Sequence, residues 1–294
     1  MTQPAIVSAG RDRAAVVQEL RRLLPGMTAL RTAFAFGLPS VDSCLPDGGL
    51  PCGALHEIVA EPQATPAALG FVAALLAHFC SPPPCGEGSG VGVERFCKTD
   101  DALAPPLYLP PQAGREKVVF VLPAYGFRDH GRLHGHGLRG LGLAPEHLIL
   151  VETARRNDIL WAIEEALRSG APAAVVAIID KLDLKLSQRL HLAAVDCGLP
   201  LFLLRPVRDL EASAAATRWR VGTAAAARDR FGLVIRPRWH VRLERCRNGR
   251  PGEWVVEYDH VAHRFSLAAA LADSARARRA NQTSEAAARK VDCA

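Results

Sequence analysis

The run EIVAEPQATPAALGF, residues 57–71, sets a short strand-like segment before a turn and an apolar helix. A strand–turn–helix of this kind cradles nucleotide phosphates when the turn reads G-x-x-x-x-G-K-[ST]. Its glycines let backbone N–H groups face the phosphates, its lysine neutralises their charge and its hydroxyl holds magnesium. Laid on that pattern from the strand, the first glycine position is Ala60, the second Thr65, the lysine position Pro66 and the hydroxyl position Ala67. All four requirements fail together. What stands there suits a helix start: Thr65 can cap it, and Pro66 fits a first turn where no N–H bond is needed. A bare helix N-terminus attracts an anion only weakly. The junction is therefore a degenerate phosphate loop, and no ATP site is expected from it.

Other chemical motifs are weaker. GHGLRG, residues 135–140, matches G-x-G-x-x-G. It follows no clear strand, opens no clear helix and has no acid at the expected distance, so it reads as a Gly-rich loop and not a dinucleotide site. His130, His134 and His136 read as a solvated loop cluster in preference to metal ligands. Eight cysteines (44, 52, 80, 85, 97, 197, 246, 293) form no C-x-x-C pair. Cys80, Cys85 and Cys97 lack zinc-site spacing. Neither a metal nor a cofactor is expected. No G-x-S-x-G elbow or H-E-x-x-H helix occurs.

Charge is uneven. The chain is +6, but residues 205–250 hold twelve arginines against Asp209, Glu211, Asp229 and Glu244, a net +8 that leaves −2 elsewhere. One reading is an anionic partner, either nucleic acid or an acidic protein face; the other is a set of solvated strand faces. Trp219, Trp239 and Trp254 lie among these arginines. Such aromatics can stack on single-stranded bases, but strand alternation favours tryptophans inward and arginines outward. Arg218, Arg220, Arg236, Arg238, Arg242 and Arg245 are then the candidate DNA or partner face.

These residues need a scaffold. With 294 residues, 49% hydrophobic and 22% charged, the chain has material for one large domain or two small ones. No apolar run approaches the ~18–20 residues of a membrane span, and the N-terminus lacks a secretory pattern. A cytoplasmic protein with reduced thiols is expected. Residues 11–24 have helical spacing, with Val16, Val17, Leu20, Leu23 and Leu24 in one stripe, a candidate docking helix within an N-terminal arm over 1–25. Apolar runs at 55–59, 118–124, 147–152, 173–179 and 201–206 read as strands, and 65–79, 154–170 and 186–198 as helices. Asn157 or Asp158 can cap the second of these. Residues 81–116, rich in Pro and Gly, read as a long surface loop. Strands alternating with helices predict an α/β fold with a mostly parallel sheet flanked by helices. After residue 217 the strands at 218–221, 233–246 and 253–259 predict an antiparallel C-terminal edge, with a hairpin turn at 248–252. Residues 266–294 form an Ala/Arg-rich tail expected to be disordered.

The stretch FGLPSVDSCLPDGGLPCGALHEI, with Val41-Asp42 and Gly48-Gly49-Leu50-Pro51-Cys52-Gly53, resembles the start of the RecA ATPase core. EALRSGAPAAVVAII resembles the RecA helix, turn and strand that lead to the magnesium-linked aspartate. Within that superfamily the chain looks most like the ImuA family, on its degenerate phosphate loop, on ATRWRV and on PRWHVRLERCRNGRPGEWVVEYDHVAHRF. The resemblance implies a RecA-like core over 36–265 and a non-catalytic accessory protein of SOS-induced translesion synthesis and mutagenesis. Its implied partners are an ImuB-like Y-family polymerase homologue and a DnaE-type error-prone polymerase, with RecA and single-stranded DNA as further candidates. It puts the catalytic glutamate position near Ala124 and makes Asp180 the best match for the aspartate, two residues out of register. A DNA-dependent ATPase with a divergent loop and a single-strand-binding module are the alternatives.

Overall fold

The computed structural model describes residues 33–80, 117–124, 133–206 and 212–268. The expected arm helix, the 81–116 loop, His130, Cys85, Cys97 and the tail from 269 lie outside them.

In chain order, β1 (Ala33–Phe34), helix α1 (Pro39–Asp42) and β2 (Leu50–Pro51) lead into β3 (Ala54–Ala60) and α2 (Thr65–Cys80). Then come β4 (Val118–Pro123), α3 (Gly135–Gly140), β5 (Leu148–Thr153), α4 (Arg156–Ser169), β6 (Ala174–Ile178), α5 (Leu184–Cys197) and β7 (Pro200–Pro206). The later elements among the described residues are strands: β8 (Thr217–Thr223), β9 (Ala227–Arg228), β10 (Val234–Arg236), β11 (Arg238–Cys246), β12 (Gly252–Asp259) and β13 (Arg264–Leu267).

Nine strands form one sheet in the order β13-β12-β11-β8-β3-β7-β6-β4-β5. From β8 to β5 every pairing is parallel; β8–β11, β11–β12 and β12–β13 are antiparallel. The expected α/β class, the parallel majority and the antiparallel C-terminal edge are all present. Central strands such as β3 and β6 are buried end to end, as continuous apolar runs in a two-faced parallel sheet should be.

Alternation sorts side chains between two layers. Ile58, Phe120, Phe202, Trp219, Trp239 and Val241 meet α2 on one face. Leu55, Val121, Leu201 and Leu203 meet Ile163 and Leu167 of α4 and Leu190 and Ala194 of α5 on the other. Phe71 through Ala77 of α2 is fully buried, which is why that helix is apolar nearly all round.

Four local readings change. The cap position of α4 is Arg155, with no side-chain cap bond, and Asp158 sits in the first turn. There its charge still meets the positive helix end. Thr65 is already helical. Ala64, whose carbonyl accepts from Ala68 N at 2.9 Å, takes the cap place. GHGLRG is the short helix α3, anchored by buried Leu138, and none of its glycines has a positive φ. The strand read over 233–246 breaks at Pro237 into β10 and β11, because proline brings no ladder donor.

The Gly48-Gly49 turn is a packing device. Gly48 has φ +71, and a Cβ on Gly49 would stand 2.5 Å from the Phe34 carbonyl oxygen. Asp42 fixes the same corner, accepting from Phe36 N at 2.8 Å and Leu38 N at 2.9 Å.

Candidate functional site

The phosphate-loop candidate lies at the C-terminal end of β3, where open parallel sheets present ligand crevices. The turn between Ala60 and Thr65 is four residues long; Pro62 has no N–H, and two of the other three amides are bonded inside the chain. Glu61 N donates to Val221 O and Ala64 N to Glu61 O, both at 2.9 Å. Pro66, in the first turn of α2, has no N–H to offer. The Glu61 carboxylate reaches across the backbone of β8: a Cβ on Gly222 would meet it at 2.0 Å. It also lies 3.8 Å from His240 Nδ1. The turn thus has Pro66 at the lysine position, and its charged side chain, Glu61, is a carboxylate directed over β8. Ala124, just past β4, is exposed and donates its amide to Thr153 O at 2.7 Å. Asp180 is exposed just past β6, which β7 separates from β3.

Five of the six candidate arginines, on the paired strands β8 and β11, share one face of the sheet, opposite Trp219, Trp239 and the α2 layer; Arg236 lies on β10, in a separate two-stranded sheet with β9. They are organised by carboxylates. Glu57 of β3 accepts from Arg205 at 2.9 Å and Arg218 at 2.7 Å. Glu244 accepts from Arg220 at 2.5 Å and Arg242 at 2.9 Å. Glu257 accepts from Arg236 at 3.0 Å and Arg238 at 2.6 Å, and Asp259 takes the other arm of Arg236 at 2.9 Å. The pattern is three Arg–Glu–Arg triads. Arg220 and Arg242 are direct cross-strand partners, a like-charge pair that would be destabilising without the carboxylate between them. Arg245 follows a bulge in β11 and donates to Ser213 O at 2.8 Å.

The triads set the local acid–base behaviour. Burial opposes the charge on Glu244, and Arg220 and Arg242 outweigh it, so its pKa falls below the ordinary value. Glu257 behaves likewise under burial, Arg236 and Arg238. The Glu57 triad is the deep one, with Glu57 and Arg205 both buried. A lone charge in each of two apolar strands, Glu57 in ALHEIVA and Arg205 in PLFLLRP, was the sequence signal for it.

On the opposite face His56 is buried between Thr217 Oγ1 at 2.8 Å and the Pro51 carbonyl at 3.0 Å. The carbonyl can only accept, so Nε2 carries the proton and the Thr217 hydroxyl donates to Nδ1. Trp219 Nε1 donates to that hydroxyl oxygen at 2.9 Å. Desolvation lowers the imidazole pKa to about 4. Trp219 and Trp239 are buried and Trp254 packs against the same core, so the tryptophans face inward, away from any stacking role. His134 and His136 stand with ring centroids 5.4 Å apart on and beside α3.

The hairpin of β9 and β10 went unrecognised in the sequence. Its Phe231, Leu233, Val234 and Ile235 are exposed. No helix among the described residues is long and apolar enough to cross a membrane.

No family model matches the chain. It is similar to two curated proteins, each named Protein ImuA, from Caulobacter vibrioides strains NA1000 / CB15N and ATCC 19089 / CIP 103742 / CB 15. Each is 33% identical over 259 residues, which cover 81% of this chain and 90% of the relative.

Proposed function

The chain belongs to the ImuA family, and from that membership we propose that it is a non-catalytic, RecA-like accessory protein of damage-induced mutagenesis. It acts as an adaptor in SOS-induced translesion synthesis with an ImuB-like polymerase homologue and a DnaE-type error-prone polymerase. RecA is a further candidate partner. The RecA-like part of this reading is supported by the parallel order around β3, with the degenerate turn at its C-terminal end.

The observation that carries the nucleotide-independent reading is the turn from Ala60 to Thr65. Glu61 N and Ala64 N are bonded within the chain, the lysine position is Pro66, and the one charged side chain of the turn, Glu61, is a carboxylate. An ATPase reading requires binding of an ATP analogue with magnesium in calorimetry, lost on altering residues 65–67; no binding heat is expected. The single-strand-binding reading gains less support from arginines that share Glu57, Glu244 and Glu257.

The direct test is affinity capture of the tagged chain from DNA-damaged cells with nuclease present, followed by mass spectrometry. Recovery of a Y-family polymerase homologue together with a DnaE-type polymerase is expected. If neither is recovered, the adaptor reading fails.

A further inference from the structure

The hairpin of β9 and β10 is built but bare. Asp229 Oδ1 accepts from Phe231 N at 2.8 Å and Leu233 N at 2.9 Å, and Asp229 N donates to Leu233 O at 2.9 Å. Arg228 donates to Gly232 O at 2.6 Å, and Gly232 takes φ +80 to close the turn. At the base, Arg236 is held by Glu257 and Asp259. On this defined ribbon Phe231 is 72% exposed, Leu233 66%, Val234 53% and Ile235 46%. Val234 and Ile235 stand where the β9–β10 register shifts, and both side chains stay exposed. A two-stranded ribbon is marginal by itself, and four large apolar side chains left exposed within five residues are the raw material of an interaction site.

Charge narrows the occupant. Each sheet arginine of the three triads shares a carboxylate. Arg228 and Arg230 of the hairpin make no ion pair among the described residues. Arg228 bonds a carbonyl, and Arg230 lies over the Phe231 ring with its guanidinium carbon 4.6 Å from the centroid. Three of the four exposed apolar side chains are aliphatic and offer no stacking face, and the one aromatic ring already carries a guanidinium. That composition suits an apolar protein groove better than bases.

We propose that this hairpin is a protein-docking element whose occupant is an apolar groove rimmed by carboxylates on the polymerase-type partner. The inference rests on the adaptor reading. Burial of Phe231 and Ile235 supplies the anchor, and Arg228 and Arg230 meet the acidic rim.

The test titrates the purified ImuB-like protein of the same genome with the full chain and three variants. These are Phe231→Ser/Ile235→Ser, Arg228→Glu/Arg230→Glu and, as a surface control on α5, Leu192→Ser. Phe231→Ser/Ile235→Ser and Leu192→Ser should unfold at the wild-type temperature, since their side chains are exposed; Arg228→Glu also gives up the bond to Gly232 O, so Arg230→Glu alone is measured beside it to report the charge effect. Tenfold or greater weakening by each hairpin variant, with the control unchanged and wild-type affinity falling as salt rises, is the expected result. Equal binding by wild type and hairpin variants overturns this inference and leaves the adaptor reading standing. Absence of wild-type binding removes the adaptor reading and the inference with it. A parallel titration with a single-stranded oligonucleotide separates the nucleic-acid case: loss of oligonucleotide binding alone in the hairpin variants overturns protein docking. Wild-type dimerisation abolished by Phe231→Ser/Ile235→Ser would overturn it in favour of self-association.

Discussion

Glu57 is the residue on which the centre of the sheet is most exposed to damage. It is a buried carboxylate shared by two guanidiniums, one of them fully buried. Removing one partner of a buried pair leaves an uncompensated charge and costs about 3–5 kcal/mol. Glu57→Ala should lower the unfolding free energy by that order in urea. Glu57→Leu/Arg205→Leu should cost less than the two single changes together, because neither fully buried charge is left without the other, although Arg218 loses its carboxylate. Equal, additive losses would show that the pair is not coupled. Asp42 predicts a smaller effect: Asp42→Ala strands two amides at the Phe36–Leu38 corner and should cost about 1–3 kcal/mol. His56 gives stability its pH dependence. Its folded pKa, about 4, lies below the ordinary 6.5. The unfolded chain therefore binds the proton first as pH falls. The contribution is complete above about pH 6.5 and is lost as pH falls through the folded value, about 3 kcal/mol in all. The lowered carboxyls of Glu244 and Glu257 act in the same direction at still lower pH. Unfolding free energies between pH 7 and 4 should decline for wild type and decline less for His56→Gln, which cannot titrate.

At the scale of elements, the turn before α2 has lost more than its ligands. Grafting Ala60→Gly/Thr65→Gly/Pro66→Lys/Ala67→Thr should yield no phosphate release from ATP. The end of β4 still carries Ala124 where the resemblance implies an acid. Hydrolysis by the graft would mean that residue identity alone had silenced the site. The parallel strands were legible because each is a continuous apolar run, a signal strong enough to survive without neighbours. The degenerate loop was legible because its requirements belong to consecutive residues. The arginine face was only half legible. A window over 205–250 counts Glu244 but cannot include Glu57, Glu257 or Asp259, which reach the arginines across strand pairings. Sequence proximity missed the charge balance that the register creates. The β9–β10 hairpin hid for a different reason: its apolar run continues into β11 in sequence, and only Pro237 separates them. α3 hid because three glycines in six residues read as loop, while Leu138 holds them helical.

At the scale of the whole molecule, α4 and α5 cover the outer face of the parallel half of the sheet. The Glu57 triad lies in that parallel half, bridging β7, β3 and β8, and the Glu244 and Glu257 triads lie over the antiparallel half. Charge-paired arginines there serve the sheet before they serve a ligand. Arg238→Ala should lower thermal stability while leaving affinity for a single-stranded oligonucleotide, and its salt slope, unchanged. A slope reduced by about one unit would instead identify a phosphate contact. The pairing of β3 has a further consequence, and it concerns time. Ala54 pairs with Pro200, and His56 pairs with Thr217. Both neighbours of the central strand are thus translated long after it. At roughly 5–20 residues per second, β3 and the largely apolar α2 wait on the order of ten seconds for the partners that cover them. A ribosome stalled before residue 217 holds a chain with its core helix made and its sheet open on one side. Release of such a fragment should produce aggregates that the full-length chain does not, and its yield in cells should depend on chaperone supply.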